Sequence, residues 1–295
     1  MSHPGGGGHA NTRHHLKPSP RSREVSVSVD EAGWRFLDFA VHVLGRGESE
    51  QIFQPHREVA LVLLDGEVRI KTSRGSFAVK RHDVFSEPPH VLYVPPSERA
   101  VVEASEEACF SIGSAPAEGR YPLRLFDPAD LQAEMRGAGA ARRQVNYLLA
   151  APLPAERLIL YEVIAERGTW CGWPPHCHDG YDGSPYLEET YYFRFDREEG
   201  YALQRNYRVD EDFDETFVAG NGDLILITKG YHTTVTMPGA AMYFLNYLAG
   251  ELTDEDRARP PCFDQRHTWI TRDWTDKAIK LPTPGANVAP RAASG

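Results

Sequence analysis

The chain of 295 residues is poor in cysteine, with only Cys109, Cys171, Cys177 and Cys262. No pair has zinc-finger spacing and four are too few to staple a chain of this length, so all are read as reduced thiols. Long apolar runs are also missing. Nothing approaches the roughly 20 apolar residues of a membrane span, and the opening MSHPGGGGHANTRHHLKPSPRSR has no apolar core of a secretory signal. A cytoplasmic protein is the expectation. Nor is there a basic excess: the formal charge of −10 repels nucleic acid and anionic membrane surfaces, and excludes both as expected partners. A small anionic ligand would need basic residues gathered locally.

Turn chemistry is abundant. The 22 Pro and 25 Gly favour many short strands over a helical bundle. From Val25 to Pro116 the β-prone runs EVSVSV, WRFLDFAVHVL, EVALVLLDGEVRIKT, GSFAVKRHDVF, HVLYVPPSERAVVEA and ACFSIGSA alternate with turn residues. A second series follows: RLILYEVIAERG, EETYYFRF, GYALQRNYRV, DETFVAGNGDLILITKG, YHTTVTM and AMYFLNYLAG. One supersecondary plan used twice predicts an all-β protein of two barrels or sandwiches. Between them, DPADLQAEMRGAGAARRQV offers an Asp cap and a short amphipathic stretch broken at Gly137 and Gly139. The expected division is a disordered tail at 1–23, a first barrel at 24–120, a linker at 121–144, a second barrel at 145–275 and a tail at 276–295. His3, His9, His14 and His15 are read as solvated, because a mobile segment loses conformational entropy on chelating a metal. The stretch PCFDQRHTWITRDW is expected to be a packing arm.

The chemistry lies in PPHCHDGYDGSPYLEETYYFRF and, further on, GDLILITKGYHTTV. Residues two apart on a strand share a face, so His176 and His178 point one way and Cys177 the other. The same alternation groups Glu189, Tyr191 and Phe193, with Glu188 and Thr190 opposite. His232, after a Gly-rich turn, can close the set as a third imidazole. An H-x-H pair alone is commonly a strand accident; Glu189 and His232 turn it into a candidate site. Three neutral imidazoles and a carboxylate suit one divalent ion, zinc first, with manganese, iron or nickel as alternatives. Tyr191, on the Glu189 face, leads the acid/base candidates, ahead of Asp223 and Glu215, although packing is the commoner fate of a strand tyrosine. For an anionic group on a ligand the candidates are Arg205 and Lys229, against the plain reading that most basic residues are solvated.

Gly172 to Glu189 and Gly222 to His232 resemble the two cupin motifs. Ten residues separate His178 from Glu189 where most cupins have three or four, and Thr228 stands near the usual Pro. With REVALVLLDGE, SEPPHVLYVPPSE, RRQVNYLL, YLEETYYFRF and FDQRHTWI, the long insert is similar to one bicupin branch. That branch is the 5-deoxy-glucuronate isomerases of inositol catabolism, relatives of the 5-keto-4-deoxyuronate isomerases. The resemblance implies conversion of 5-deoxy-D-glucuronate to 5-dehydro-2-deoxy-D-gluconate through an enediolate whose charge a divalent ion offsets. In the first half Val59 stands at the Glu position, Ala100 at the His position and a lone His56 where a pair is expected, so that half is read as metal-free. His56, His82 and His90 are then turn or surface residues. A bicupin dioxygenase and a non-catalytic sugar-binding cupin are the rival readings. A homo-oligomer is expected from exposed cupin edge strands, and DGYDGSPY is either a lid or a subunit contact.

Overall fold

A computed structural model of the protein describes residues 13–274. The expectations for 1–12, with His3 and His9, and for 275–295 lie outside the described residues. Among the described residues no helix is long and apolar enough to cross a membrane.

The first half forms one antiparallel sheet that curls on itself. Its spine is the strand Arg57–Thr72, which pairs early with Ala108–Pro116 and Val91–Val94, and late with Gly75–Arg81 and Arg99–Ala104. Gly66 sits at the changeover with φ 98°, where a Cβ would collide with the Glu107 carbonyl and Ala108; only glycine takes that bend cheaply. The predicted run EVSVSV stops early, at Val25–Val27, because Ser28 and Glu31 form a reciprocal capping box over the single helical turn Val29–Ala32.

The second half is a sandwich of two sheets. One runs in the order His15–Leu16, Leu224–Ile227, Leu187–Phe195, Met242–Gly250, Ile159–Ala165, Arg143–Tyr147, Gln132–Arg136; the other runs Asp214–Ala219, Ala202–Tyr207, Tyr231–Thr236, Trp170–Cys177, Cys262–Phe263. Three expectations are corrected here. The tail reading fails for residues 13–23, since His15–Leu16 adds an edge strand to Leu224–Ile227. The amphipathic stretch is a single 3₁₀ turn, Pro128–Asp130, followed by the strand Gln132–Arg136, which pairs along its whole length with Arg143–Tyr147. And 121–144 does not run as a free connection: Arg124–Phe126 belongs to the first sheet and Gln132–Arg136 to the second half. The arm does pack, with Cys262–Phe263 pairing onto Cys177 and His176.

Each barrel has its own apolar interior, and a third cluster joins them, built from Phe39, Ala60, Val62 and Tyr93 of the first half with Tyr192, Tyr243, Leu245 and Tyr247 of the second. Gly113 lets the Tyr247 ring lie against the backbone, where any Cβ would overlap it. Two buried carboxylates cross this seam reciprocally. Glu188 accepts the backbone N–H groups of Arg35, Phe36 and Leu37 at 2.7, 2.8 and 2.8 Å. Glu58 accepts those of Glu156, Arg157 and Leu158 at 2.8, 2.6 and 2.7 Å. Each thereby satisfies backbone donors that burial would otherwise orphan. A buried ion pair, Arg81 to Glu162 at 3.0 Å, adds a third polar tie.

Candidate metal centre and its cavity

The strands Trp170–Cys177 and Tyr231–Thr236 pair at Cys171 with Thr234 and again at His176 with His232, with a bulge between. Such an irregularity re-aims side chains. Gly172 takes φ 66°, a conformation that favours glycine, and a Cβ there would press to 3.3 Å from the His232 carbonyl oxygen. His178 follows the strand end, and Glu189 comes from Leu187–Phe195, whose alternation sends Tyr191 and Phe193 into the barrel core and Tyr192 into the seam. Cys177 faces away, packed with Tyr207 and Tyr231. The facing inferred from alternation therefore holds.

One nitrogen from each of His176, His178 and His232 lies within 4.8 Å of the others. Glu189 Oε2 is 2.8 Å from His178 Nε2 and 3.2 Å from His232 Nε2. His178 Nδ1 donates to the Leu187 carbonyl at 3.0 Å, which fixes the ring and leaves Nε2 of the neutral imidazole with only a lone pair. A lone pair facing a carboxylate oxygen needs a proton or a cation between them. His232 is fully buried; its Nδ1 has no hydrogen-bond partner, and its Nε2, though 3.2 Å from Glu189 Oε2, does not meet that oxygen in hydrogen-bonding geometry, a state that costs free energy unless something fills it. Burial, then the neighbouring imidazoles, push the His176 pKa well down. Burial works against ionising Glu189, but His178 and His232 outweigh it and bring its pKa to about 2. For His178 burial disfavours the charged form, but the Glu189 charge and the hydrogen bonds to Glu189 and the Leu187 carbonyl together outweigh it and raise the pKa. Three imidazoles and an ionised carboxylate converging with unspent lone pairs fit a divalent ion.

Among the described residues the first barrel has no counterpart. Ala100 opposes Ile52 across the corresponding strand pair, and Ile52, Val59 and Ala100 pack together in its apolar core. The register thus puts Ile52, not His56, where the second half has His176. His56 is exposed, as is His82, while His90 lies 3.5 Å from Asp127.

The ligand set opens into a cavity of about 380 Å³, a size suited to a small metabolite. Four arginines line it, Arg136, Arg143, Arg257 and Arg259, and Glu189 is its one carboxylate among the described residues. A chain of net charge −10 thus gathers positive charge here. Tyr191 is in the wall, its ring 5.8 Å from His232, as are Tyr147, Tyr161 and Asn246.

The other sequence candidates are not brought to the cavity wall. Asp223 is bound by His15 at 2.8 Å and Lys17 at 2.6 Å, and Glu215 by His14 at 2.7 Å. Arg205 faces outward and pairs with Asp214 at 2.6 Å, and Lys229 pairs with Glu211. On the strand Ala202–Tyr207 it is Gln204 and Asn206 that are buried, so alternation turns Arg205 out. The loop after His178 is tied to its own barrel: Asp179 accepts from Arg208 at 3.0 Å and from the Gly230 N–H at 2.8 Å. Arg143, Tyr147 and Asn246 were missed by sequence reasoning. Period-two alternation in RRQVNY marks Arg143, Val145 and Tyr147 as one face, and this was the available signal.

Comparison with known proteins agrees with this architecture. The chain is 38% identical over 259 residues to a 5-deoxy-glucuronate isomerase of Geobacillus kaustophilus, covering 86% of this chain and 92% of that one. It is 30% identical over 271 residues to the enzyme of that name from Bacillus subtilis, covering 87% and 98%. An IolB-like protein from Salmonella typhimurium superposes with a TM-score of 0.83 at 33% identity, covering 88% of this chain and 99% of that one. Bacillus subtilis oxalate decarboxylase shares the cupin fold at a TM-score of 0.58 and 14% identity, over 83% and 78% of the chains. The model of the KduI/IolB family matches residues 13–270, and with relatives of this identity and coverage the chain belongs to that family.

Proposed function

We propose that the protein converts 5-deoxy-D-glucuronate to 5-dehydro-2-deoxy-D-gluconate in myo-inositol catabolism, without a redox cofactor. The observation that carries this reading is the convergence of His176, His178, His232 and Glu189 at an arginine-lined cavity, whose wall includes His176, His178 and Glu189. The names of the relatives supply the substrate. In the conversion the C2 proton moves to C1 of the aldehyde and the O2 proton to O1, so atoms and electrons balance within one molecule. A divalent ion, zinc by first choice and otherwise manganese, iron or nickel, would offset the negative charge that develops on the two substrate oxygens.

The chain's own residues supply the rest. Burial, then the Glu189 charge, push the Tyr191 pKa well above the ordinary phenol range. Its hydroxyl therefore stays protonated and suits donation to a substrate oxygen, not abstraction of a carbon-bound proton. Apolar wall residues such as Val163 and Phe244 limit water, which strengthens each polar contact in the cavity.

The test is anaerobic incubation of purified, metal-analysed protein with 5-deoxy-D-glucuronate, followed by proton NMR. Loss of the aldehyde signal without oxygen uptake supports the proposal. An intact aldehyde, or turnover that consumes oxygen, overturns it.

A further inference from the structure

The arginines of the cavity are not equivalent. Arg136 is held by Glu134 and the Tyr147 hydroxyl, and Arg259 by Asp256 at 3.3 Å. Arg257 spends its guanidinium on the backbone carbonyls of Leu158, Asp254 and Leu153, at 3.2, 2.6 and 2.6 Å. Arg143 makes one hydrogen bond, to the Ala141 carbonyl at 3.1 Å, and no carboxylate pairs with it among the described residues. It is also largely withdrawn from solvent, and burial pushes its pKa down. A guanidinium presents five N–H donors in a planar fork, so most of this one's capacity is unspent.

Its placement is built by the strand. Arg143, Val145 and Tyr147 alternate onto the cavity side of Arg143–Tyr147, and all three line the cavity with His176, His178 and Glu189. Gly137, at φ 69°, makes room: a Cβ there would come 3.0 Å from an Arg143 Nη and collide with the Ala141 carbonyl. A partly buried cation that forms no ion pair among the described residues, facing a cavity beside a candidate metal centre, suits an anionic group.

We infer that Arg143 receives the carboxylate of the substrate and so sets the preference of this cavity for sugar acids over neutral sugars. The inference rests on the proposed sugar-acid reading of the site. It replaces Arg205 and Lys229 in that role, both of which are already paired at the outer face.

Binding of D-glucuronate and of D-glucose to the metal-loaded protein, followed by calorimetry, separates the possibilities. In Arg143→Gln, affinity for glucuronate should fall by about 30-fold or more, as loss of a charge-assisted bidentate contact implies, while the weaker affinity for glucose is unchanged. KM for 5-deoxy-D-glucuronate should rise by a similar factor, with kcat falling less than about tenfold and metal content constant. Arg143→Lys, which keeps the charge and loses the fork, should fall between and carries the test if the Gln variant does not fold. Equal glucuronate affinity in wild type and the folded variants overturns the inference even if isomerisation is confirmed. Arginine-dependent glucuronate binding without isomerisation supports it and overturns the proposed reaction instead.

Discussion

His176 and His232 are direct cross-strand partners, their ring centroids 4.3 Å apart. The site is therefore a product of register. A one-residue slip of either strand would turn its imidazole out of the barrel, and the bulge between Cys171 and His176 pins that register.

Truncating His232→Ala should lower bound metal from about one ion per chain to less than about 0.1 and reduce turnover by about 10³-fold or more. Elemental analysis with the NMR assay measures both. Glu189→Gln should behave alike. Chelation of wild type should abolish turnover, and added zinc or manganese should restore it. Full occupancy in His232→Ala would remove the centre from the proposal.

Glu188→Gln should cost roughly 2–4 kcal/mol of stability, because an amide cannot accept all the N–H groups of Arg35, Phe36 and Leu37 that the carboxylate holds. Its neighbour Glu189 is on the opposite face, so metal content should stay constant. Urea unfolding monitored alongside metal analysis checks the split.

Asp223→Ala should act on structure alone. Asp223 holds His15, Lys17 and the Gly220 N–H, so the loss should be about 1–3 kcal/mol, with kcat kept within about twofold. A collapse of kcat at unchanged stability would bring Asp223 back as an acid/base group.

Asp264 gives a pH signature. Burial raises its pKa, but hydrogen bonds from Arg266 and from Tyr207 at 2.7 Å outweigh this and bring it from 3.8 to about 2. A carboxyl depressed on folding contributes stability that is complete above its unfolded pKa and lost as pH falls through its folded one. The contribution is about 2 kcal/mol. Urea titrations of wild type and Asp264→Asn should differ by about that much above pH ~5 and converge as pH approaches about 2. A gap independent of pH would assign the effect to packing.

The converging residues were legible because their signals are local: strand alternation groups His176 with His178 and Glu189 with Tyr191, and the Gly-rich turn before His232 marks where a third imidazole can close the set. The same rule put Tyr191 in the barrel. Asp223 and Glu215 were misjudged because their partners, His14, His15 and Lys17, come from some 200 residues away, and no local pattern encodes that pairing. Arg205 would have been placed correctly had Gln204 and Asn206 been recognised as the inward positions, but buried amides on a strand look like surface residues in a sequence. Arg143 was lost to a boundary. All five residues of Gln132–Arg136 are exposed, so that strand lacks the apolar alternation that would have separated it from a linker.

Glu58 holds residues 156–158, which lead straight into Ile159–Ala165, a strand of the cavity wall. The barrel without the candidate cluster thus works as the mould in which the other one sets. Trimming the protein to the half with the candidate centre would keep every donor atom and lose the shape that aims them.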